Sequence, residues 1–350
     1  GHTSWTLTEV DFTDGPYLSE NTTTTTLTPA QSATGTGVNI TASAITGINS
    51  GAGFQTTDVG RIISFNSGKA KITSRTNTTV VVVTITTAFA NTDAKTDWKL
   101  GAFSDTTGHP SCVSFFEQRL VFAGTTDEPQ TLYFSKSGDY ENMTTGTNAD
   151  DAMVYTIASN QVNKIRYLKA VRTLLIGTTG GEFSVSADGT DAAVTPTNVT
   201  IKRQSSFGAA NVDAQPSGNA VLFLQRAKRK IRELAYNYDS DGYVAPDLTI
   251  LNETITDSGI NEMAYQQAPD SILWCVRDDG ILAGLTYQRT DNVVAWHRHI
   301  IGGKSDTTKN IIQQQISFTA NGTIVSTSNN TITLNSHGLS TNDPIYYYAA

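Results

Sequence analysis

The chain has 350 residues, of which 24 are basic and 32 acidic, so its formal net charge is −8. An acidic balance argues against tight wrapping by nucleic acid, which requires clustered cations. No uninterrupted apolar stretch of roughly 18 residues occurs, and no basic segment precedes an apolar one near residue 1, so we predict neither a transmembrane helix nor a signal peptide.

Residues 1–97 are predicted to form an N-terminal β-rich platform. Trp5–Phe12 alternates apolar and polar side chains, which is the period of a β-strand. Lys71–Thr86 predicts a hairpin that turns near Asn77, with the run Val80–Val83 buried. Threonine and glycine are abundant throughout this region, and they favour strands, turns and loops over helices.

One pattern recurs four times after residue 98: an apolar run, a turn with Gly, Asp or Pro, and a second run with Tyr or Phe. The leading leucines of the four units are 54, 48 and 51 residues apart: Leu120, Leu174, Leu222 and Leu273. A sheet-forming unit repeated about every 50 residues is typical of β-propeller blades. We therefore predict an all-β fold with a partial β-propeller over residues 98–312.

Residues 313–350 change character and are predicted to begin a small β insertion domain. Short strand-like runs are separated by polar stretches, and the last of them, Ile345–Tyr348, lies close to residue 350. We expect that further blades follow this insertion in a longer chain.

The only dense basic segment in the sequence holds five cations within seven residues: Arg226, Lys228, Arg229, Lys230 and Arg232. Such a run can bind phosphates or an acidic partner, and it is our candidate interaction site. Along a strand, alternation would divide these side chains between two faces. A solvated hairpin or a contact between subunits is the alternative interpretation.

His297 and His299 are two residues apart, so on a strand they share one face. Two imidazoles in this arrangement can bind a metal, but the spacing supplies no third ligand. We therefore interpret them as exposed strand histidines beside an aromatic residue and predict no metal site.

Two pairs of adjacent acids, Asp150-Asp151 and Asp278-Asp279, raise the question of glycoside hydrolysis, which needs two opposed carboxylates. Both pairs lie in turn-like segments, where acids face solvent. The turns that contain Asp139 and Asp188 are only loosely similar to the Asp-box turns of propeller sialidases. No nucleophile elbow, phosphate-binding loop or zinc spacing occurs, so we predict no catalytic residue and no cofactor.

Several segments, in their order and wording, resemble the tail nozzle proteins of short-tailed bacteriophages, also called tail tubular protein B. The resemblance covers about residues 95–300, and no single motif carries it alone. Its segments are Trp98–Phe103, Gly108–Pro110, Ser114–Gly124, Tyr133–Tyr140, Arg172–Glu182 and Ile272–Gly280.

The resemblance implies a virion protein with a β-propeller on a platform of further β-structure. Six copies would form a ring at the distal end of the tail, docked on the adaptor ring (tail tubular protein A) and holding fibres or a spike. The ring would retain the genome and let double-stranded DNA pass at ejection, without catalysis. The alternative is a receptor- or carbohydrate-binding propeller of a phage fibre or a bacterial surface.

Overall fold

The computed structural model describes residues 4–6, 12–158, 163–189 and 192–299, and the short segments 304–305, 311–312, 325–326 and 331–333. Within these residues the fold is all-β, and the helices are three single 3-10 turns, none of which could span a membrane. They are Asn49–Gly51, Thr56–Asp58 and Glu253–Thr256. The predicted fold class is confirmed.

The chain divides into two compact units, Gly1–Asn211 and Val212–Ala350. This division falls inside the segment that the sequence predicts to be propeller, and the predicted boundaries at 97 and 312 stay predictions. The strand predicted over Trp5–Phe12 lies largely outside the described residues.

Sheet 1, in the first unit, has six antiparallel strands in the order β1-β2-β5-β4-β3-β6. Its strands are β1 (Leu27–Pro29), β2 (Gly35–Ala42), β3 (Ile62–Phe65), β4 (Gly68–Arg75), β5 (Val80–Thr87) and β6 (Lys99–Leu100). Because β6 pairs with β3, this sheet extends past residue 97.

The predicted hairpin of sheet 1 is β4–β5. Asn77 stabilises its turn, because its side-chain oxygen accepts the N–H groups of Thr79 (2.8 Å) and Val80 (2.9 Å). The expectation that Val80–Val83 is buried as a block is wrong. Only Val81 and Val83 are fully buried, since successive strand side chains point to opposite faces.

Four further sheets follow, each with four antiparallel strands arranged in chain order. Sheet 2 contains β7 (Cys112–Phe116), β8 (Arg119–Ala123), β9 (Thr131–Phe134) and β10 (Met153–Thr156). Sheet 3 contains β11 (Ile165–Ala170), β12 (Leu174–Thr178), β13 (Gly181–Ser186) and β14 (Thr200–Ser205). Sheet 4 contains β15 (Gln215–Ser217), β16 (Ala220–Leu224), β17 (Ile231–Asn237) and β18 (Gly242–Val244). Sheet 5 contains β19 (Ile260–Gln266), β20 (Ile272–Arg277), β21 (Leu282–Gln288) and β22 (Val293–His299).

The four leading leucines of the repeat all lie on the second strand of their sheet, namely β8, β12, β16 and β20. Four-stranded up-and-down sheets of this kind are the blades of β-propellers. The first strands of consecutive sheets contact each other within each unit, β7 with β11 and β15 with β19. The predicted partial propeller is therefore confirmed as a propeller-like series of sheets.

Two more pairs of short strands are described near the C-terminal end. They are β23 (Lys304–Ser305) with β24 (Ile311–Ile312), and β25 (Val325–Ser326) with β26 (Thr331–Ile332). The rest of the predicted insertion domain at 313–350 lies outside the described residues apart from position 333.

Sheets 2 and 3 share one apolar core in the first unit. Val121 and Ala123 of β8 pack in the same cluster as Leu174 and Ile176 of β12. Fully burying a side chain of this size stabilises a fold by about 1.5–3 kcal/mol, so this core is the main attraction between the two sheets.

A buried arginine holds the loop that enters β10. Arg119 is 2% exposed, and its guanidinium donates hydrogen bonds to the carbonyls of Ser135 (2.7 Å), Asp151 (2.7 Å) and Ala149 (2.5 Å). Burial lowers the pKa of Arg119, because it disfavours the charged form. Arg119 lies within the repeat, so one residue of the blade motif also fixes the connection between two strands.

A buried carboxylate joins three segments of the first unit. Asp14 is 4% exposed and accepts hydrogen bonds from Tyr17 Oη (2.5 Å), Thr144 Oγ1 (2.6 Å) and Lys69 Nζ (2.6 Å). Burial alone would raise the pKa of Asp14, but the bonds from Lys69, Thr144 and Tyr17 lower it below its usual value. Asp14 therefore connects the N-terminal segment to sheet 1 and to the loop before β10.

The cysteines and one close glycine complete this description. Cys112 and Cys275 are buried free thiols, and burial raises the pKa of Cys275. Gly177 on β12 lies opposite Tyr167 on β11, and a Cβ atom there would be 1.9 Å from a ring carbon of Tyr167. The tyrosine ring thus covers the glycine, which leaves no space for a side chain.

We expect Arg119→Met to lower the free energy of unfolding by about 3 kcal/mol, because leaving one buried carbonyl without a donor costs about 1–3 kcal/mol. Urea unfolding followed by circular dichroism measures this loss. Arg172→Met is the matched control at an exposed position of the same unit and should change the value by about 0.5 kcal/mol or less. Equal losses in both variants would contradict the assigned role of Arg119.

Asp14→Asn should destabilise the protein by about 2 kcal/mol near neutral pH, because hydrogen bonds to a charged group contribute about 1.5–3 kcal/mol. A carboxyl group whose pKa is lowered on folding stabilises the folded protein when the pH is above the unfolded pKa of about 3.9. This stabilisation disappears as the pH falls through the pKa of the folded state. Urea unfolding between about pH 3 and 7 should therefore show the two proteins converging at acidic pH. The exposed Asp93→Asn is the control, and a constant difference at all pH values would be inconsistent with this account.

Candidate functional site

The five cations of the candidate interaction site lie in and beside one hairpin turn of sheet 4. Arg226 to Lys230 occupy the turn between β16 and β17, and only Arg232 lies on a strand. Lys228 adopts the left-handed backbone region with a φ of 62°, and its N–H donates to the carbonyl of Gln225 (2.8 Å). The expected division between two strand faces does not arise, because most of the run forms the turn itself.

Acidic side chains from the segment between β18 and β19 neutralise two of these cations. Lys230 Nζ is 2.8 Å from Asp247 Oδ2 and 3.3 Å from Glu253 Oε1, and Arg229 forms an ion pair with Asp257. Hydrogen bonds to Asp247 and Glu253 raise the pKa of Lys230. Burial opposes ionisation of Asp247, but hydrogen bonds from Lys230 and Thr249 lower its pKa.

Two other cations of the run bind neutral groups of the same unit. Lys228 Nζ donates to Asn261 Oδ1 (3.0 Å). Arg232 donates to Gln225 Oε1 (2.9 Å) and to the carbonyl of Ala245 (2.7 Å). Four of the five cations are therefore engaged in bonds within their own chain.

Backbone hydrogen bonds join the turn to the same acidic segment. The N–H of Ile260 donates to the carbonyl of Lys228 (2.9 Å), and Thr256 Oγ1 donates to the carbonyl of Arg229 (2.5 Å). The turn of sheet 4 is thereby fixed to the chain that leads into sheet 5. The basic run is first of all a structural connection between consecutive sheets.

Arg226 differs from the other four cations. It is exposed, and among the residues that the structure describes it makes no hydrogen bond or ion pair. Of the predicted interaction site, Arg226 is the side chain directly available to a partner.

The two histidines share one face of β22, as the sequence predicts. Nδ1 of His297 is 2.9 Å from Nε2 of His299, and the two ring planes are nearly perpendicular. Trp274 packs on both, with ring centroids 5.7 Å from His297 and 5.3 Å from His299. In the described part of the chain, no third His, Cys, Asp or Glu joins them in a metal-ligating cluster.

The ring of His297 lies over a glycine on the neighbouring strand. Gly284 on β21 pairs with His297 on one side and with Trp274 on the other, and a Cβ atom at 284 would be 2.2 Å from the imidazole Cε1. Burial lowers the pKa of His297, and repulsion from His299 adds to this effect.

The acid pairs serve the fold. The expectation that Asp151 faces solvent is wrong, because Asp151 is only 8% exposed. Its carboxylate accepts a hydrogen bond from the N–H of Asn148 (2.9 Å) and lies 3.3 Å from Lys136 Nζ. Asp279 forms an ion pair with the largely buried Arg277 (2.6 Å), and Asp278 accepts a hydrogen bond from Asn261. Both pairs therefore stabilise turns.

The two acids compared with Asp-box turns, Asp139 and Asp188, lie in turns of the first unit. Asp139 is exposed after β9, and Asp188 is exposed after β13. The N–H of Asp188 donates to Asn198 Oδ1 (2.9 Å), which is a bond within the turn.

Sequence patterns did not point to an open cleft between the first strands of sheets 4 and 5. It has a volume of about 420 Å³ and is lined by Gln215, Pro216, Gly218, Tyr265, Gln267 and Ser271. Ser217 Oγ donates to the hydroxyl of Tyr265 (3.0 Å), which positions the ring. The lining offers one aromatic ring together with amide and hydroxyl groups.

No protein-family model matches the chain, and no curated protein matches it. Among solved structures, an auxiliary nutrient binding protein from Bacteroides thetaiotaomicron is similar at 11% identity and a TM-score of 0.35, over 79% of this chain and 71% of that one. A protein from Lactobacillus plantarum is similar at 12% identity and a TM-score of 0.35, over 83% and 87% of the two chains. AztD of Citrobacter koseri is similar at 9% identity and a TM-score of 0.36, over 79% and 81%. At these values the similarities carry no argument about function.

The acidic partners of the basic turn should prevent its cations from binding DNA, and removing these partners tests this effect, which we call masking. We expect Asp247→Asn, Glu253→Gln and Asp257→Asn together to raise the affinity for double-stranded DNA about tenfold at low salt. Freeing one or two cations to contact phosphates should make the slope of log affinity against log salt concentration more negative by about 1–2. Fluorescence anisotropy with labelled duplex DNA at several salt concentrations measures both quantities.

The control for this experiment is the variant Asp188→Asn, Asp239→Asn and Asp291→Asn, which changes net charge equally at exposed positions away from the turn. It should leave the salt dependence unchanged. An equal gain in DNA affinity in both variants would mean that the change in net charge causes the gain, and it would contradict masking of the turn by its acidic partners.

Proposed function

We propose that this protein is a structural component of a bacteriophage virion, the nozzle of a short tail. In this role six copies form a ring that retains the genome and conducts double-stranded DNA at ejection. The ring docks on the adaptor ring and holds fibres or a spike. The role is mechanical and not enzymatic, and the protein is assembled in the host cytoplasm.

The observation that carries this proposal is the neutralised basic turn. A conduit for DNA must not retain the phosphates that pass it, and DNA affinity depends on free clustered cations. Lys230 and Arg229 are paired with Asp247, Glu253 and Asp257 on a chain of net charge −8. Most of the one dense basic segment is thereby engaged within the fold, and Arg226 alone is left directly available.

The four propeller-like sheets give further support. Within each unit two four-stranded sheets contact each other through their first strands, and paired sheets of this kind suit a mechanical rather than a catalytic role. The segments that resemble the nozzle proteins lie mainly on these sheets, from β7 to β20.

One observation favours a second candidate, the carbohydrate-binding propeller. The cleft at Tyr265 combines an aromatic ring with Gln215, Gln267 and Ser271. Sugars are bound by such combinations, because the ring packs on the apolar face and the amides pair with hydroxyls. The cleft is open, so an extended glycan would fit better than a small enclosed ligand.

The nozzle proposal predicts that the purified protein assembles into rings with a central channel. Electron microscopy of negatively stained particles, with light scattering for mass, should show six-fold particles alone or with the adaptor ring protein. A ring with closed rotational symmetry has a fixed number of subunits, so the particles should have a single mass and not a series of masses. A protein that remains monomeric in both settings and binds a glycan array, with binding lost in Tyr265→Ala, would replace the nozzle by the second candidate.

A further inference from the structure

We propose that His297 and His299 form a two-imidazole chelate for a late first-row divalent cation, with Cu(II) bound most tightly. The site lies on the exposed face of β22 in sheet 5. It is independent of the nozzle proposal, because it concerns one face of one sheet. Neutral imidazole is a preferred ligand of Cu, Ni and Zn.

The two nitrogens are close enough together for one cation to bind both. Two nitrogens at 2.0–2.1 Å from one metal are about 2.9 Å apart at a right angle and about 3.3 Å apart at the tetrahedral angle. The observed distance between His297 Nδ1 and His299 Nε2 is 2.9 Å. In the present arrangement this distance is that of a hydrogen bond between the rings. A right-angle complex, which Cu(II) and Ni(II) favour and Zn(II) does not, would change it least.

One of the two ligands, His297, is held in place by its surroundings, whereas the exposed His299 is free to turn. The His297 ring fits over Gly284, where no other residue would leave space for it. Trp274 packs against both imidazoles, and its own indole N–H donates to Gln266 Oε1 (3.0 Å). The entropy lost on binding a metal is therefore smaller than for two free histidines.

Metal binding requires a modest change of the rings. In the present arrangement one imidazole N–H donates to the other ring, so one nitrogen of the pair carries the proton. When a cation binds, that proton moves through solvent to the other nitrogen of its ring, so that both nitrogens of the pair present lone pairs. His299 is exposed and can turn so that both lone pairs meet at the metal.

On the described residues alone, no third His, Cys, Asp or Glu joins the pair, and water would complete the coordination. The site is therefore open and exchangeable, unlike a structural zinc site, which is closed by four protein ligands. Copper should bind more tightly than nickel or zinc, as the order of affinities for divalent ions requires.

Calorimetric titration with Cu(II) tests the proposal in a background that lacks the other three histidines, His2→Ala, His109→Ala and His337→Ala. We expect one Cu(II) per chain, and an electron paramagnetic resonance spectrum with coupling to two imidazole nitrogens. Nickel and zinc should bind more weakly in the same background.

Three further variants locate the site. His299→Ala changes an exposed side chain and should weaken Cu(II) binding by more than about a hundredfold, since even the loss of outer-shell partners costs 10–100-fold. His297→Ala should do the same. Gly284→Ala retains both histidines but displaces the His297 ring, and should weaken binding by about tenfold.

Two results would overturn the proposal. One is the absence of a one-to-one Cu(II) site in the background that retains only His297 and His299. The other is an affinity unchanged by His299→Ala, since that variant keeps the fold and removes one ligand. An unchanged Cu(II) affinity in a folded Gly284→Ala protein would refute the claim that Gly284 positions the His297 ring for metal binding.

Discussion

Sheets with apolar side chains on both faces must be covered on both, and this constraint underlies the repeated part of the protein. Every residue of β12 is buried, and so is every residue of β16. A strand covered on one side alternates between buried and exposed positions, whereas these strands are continuous apolar runs. Sheets 3 and 4 therefore need cover on both faces, whereas β8 and β20, their counterparts in sheets 2 and 5, alternate between buried and half-buried positions.

Two-sided burial also decides where the charged groups of the fold are placed. Loops that connect buried strands bring carbonyls close to the core, and an unpaired carbonyl there is costly. Arg119 and Arg277 supply donors at such places, since Arg119 bonds three carbonyls before β10 and Arg277 bonds the carbonyl of Ile255 (2.8 Å). The basic turn of sheet 4 follows the same principle with acids as partners. At these places charged groups fix the connections between strands.

The features predicted from sequence are those that depend on neighbours in the chain. Spacing of Leu120, Leu174, Leu222 and Leu273 indicated the sheets, and the turn at Asn77 followed from local turn chemistry. Buried Asp151 and the partners of Lys230 were not predictable in this way, because they depend on which loops the fold brings together. Asp247 follows Lys230 by 17 residues and Glu253 by 23, and no local pattern marks them as partners. The Tyr265 cleft is likewise a product of strand neighbours distant in sequence.

Two glycines covered by rings, Gly177 under Tyr167 and Gly284 under His297, have a consequence for how the sequence can vary in nature. Neither glycine can acquire a side chain while the ring remains, and neither ring can be lost without leaving exposed backbone. In a collection of homologous sequences, positions 167 and 177 should change together, and so should 284 and 297. Such paired changes, at separations of 10 and 13 residues, would identify adjacent strands of one sheet without any structure.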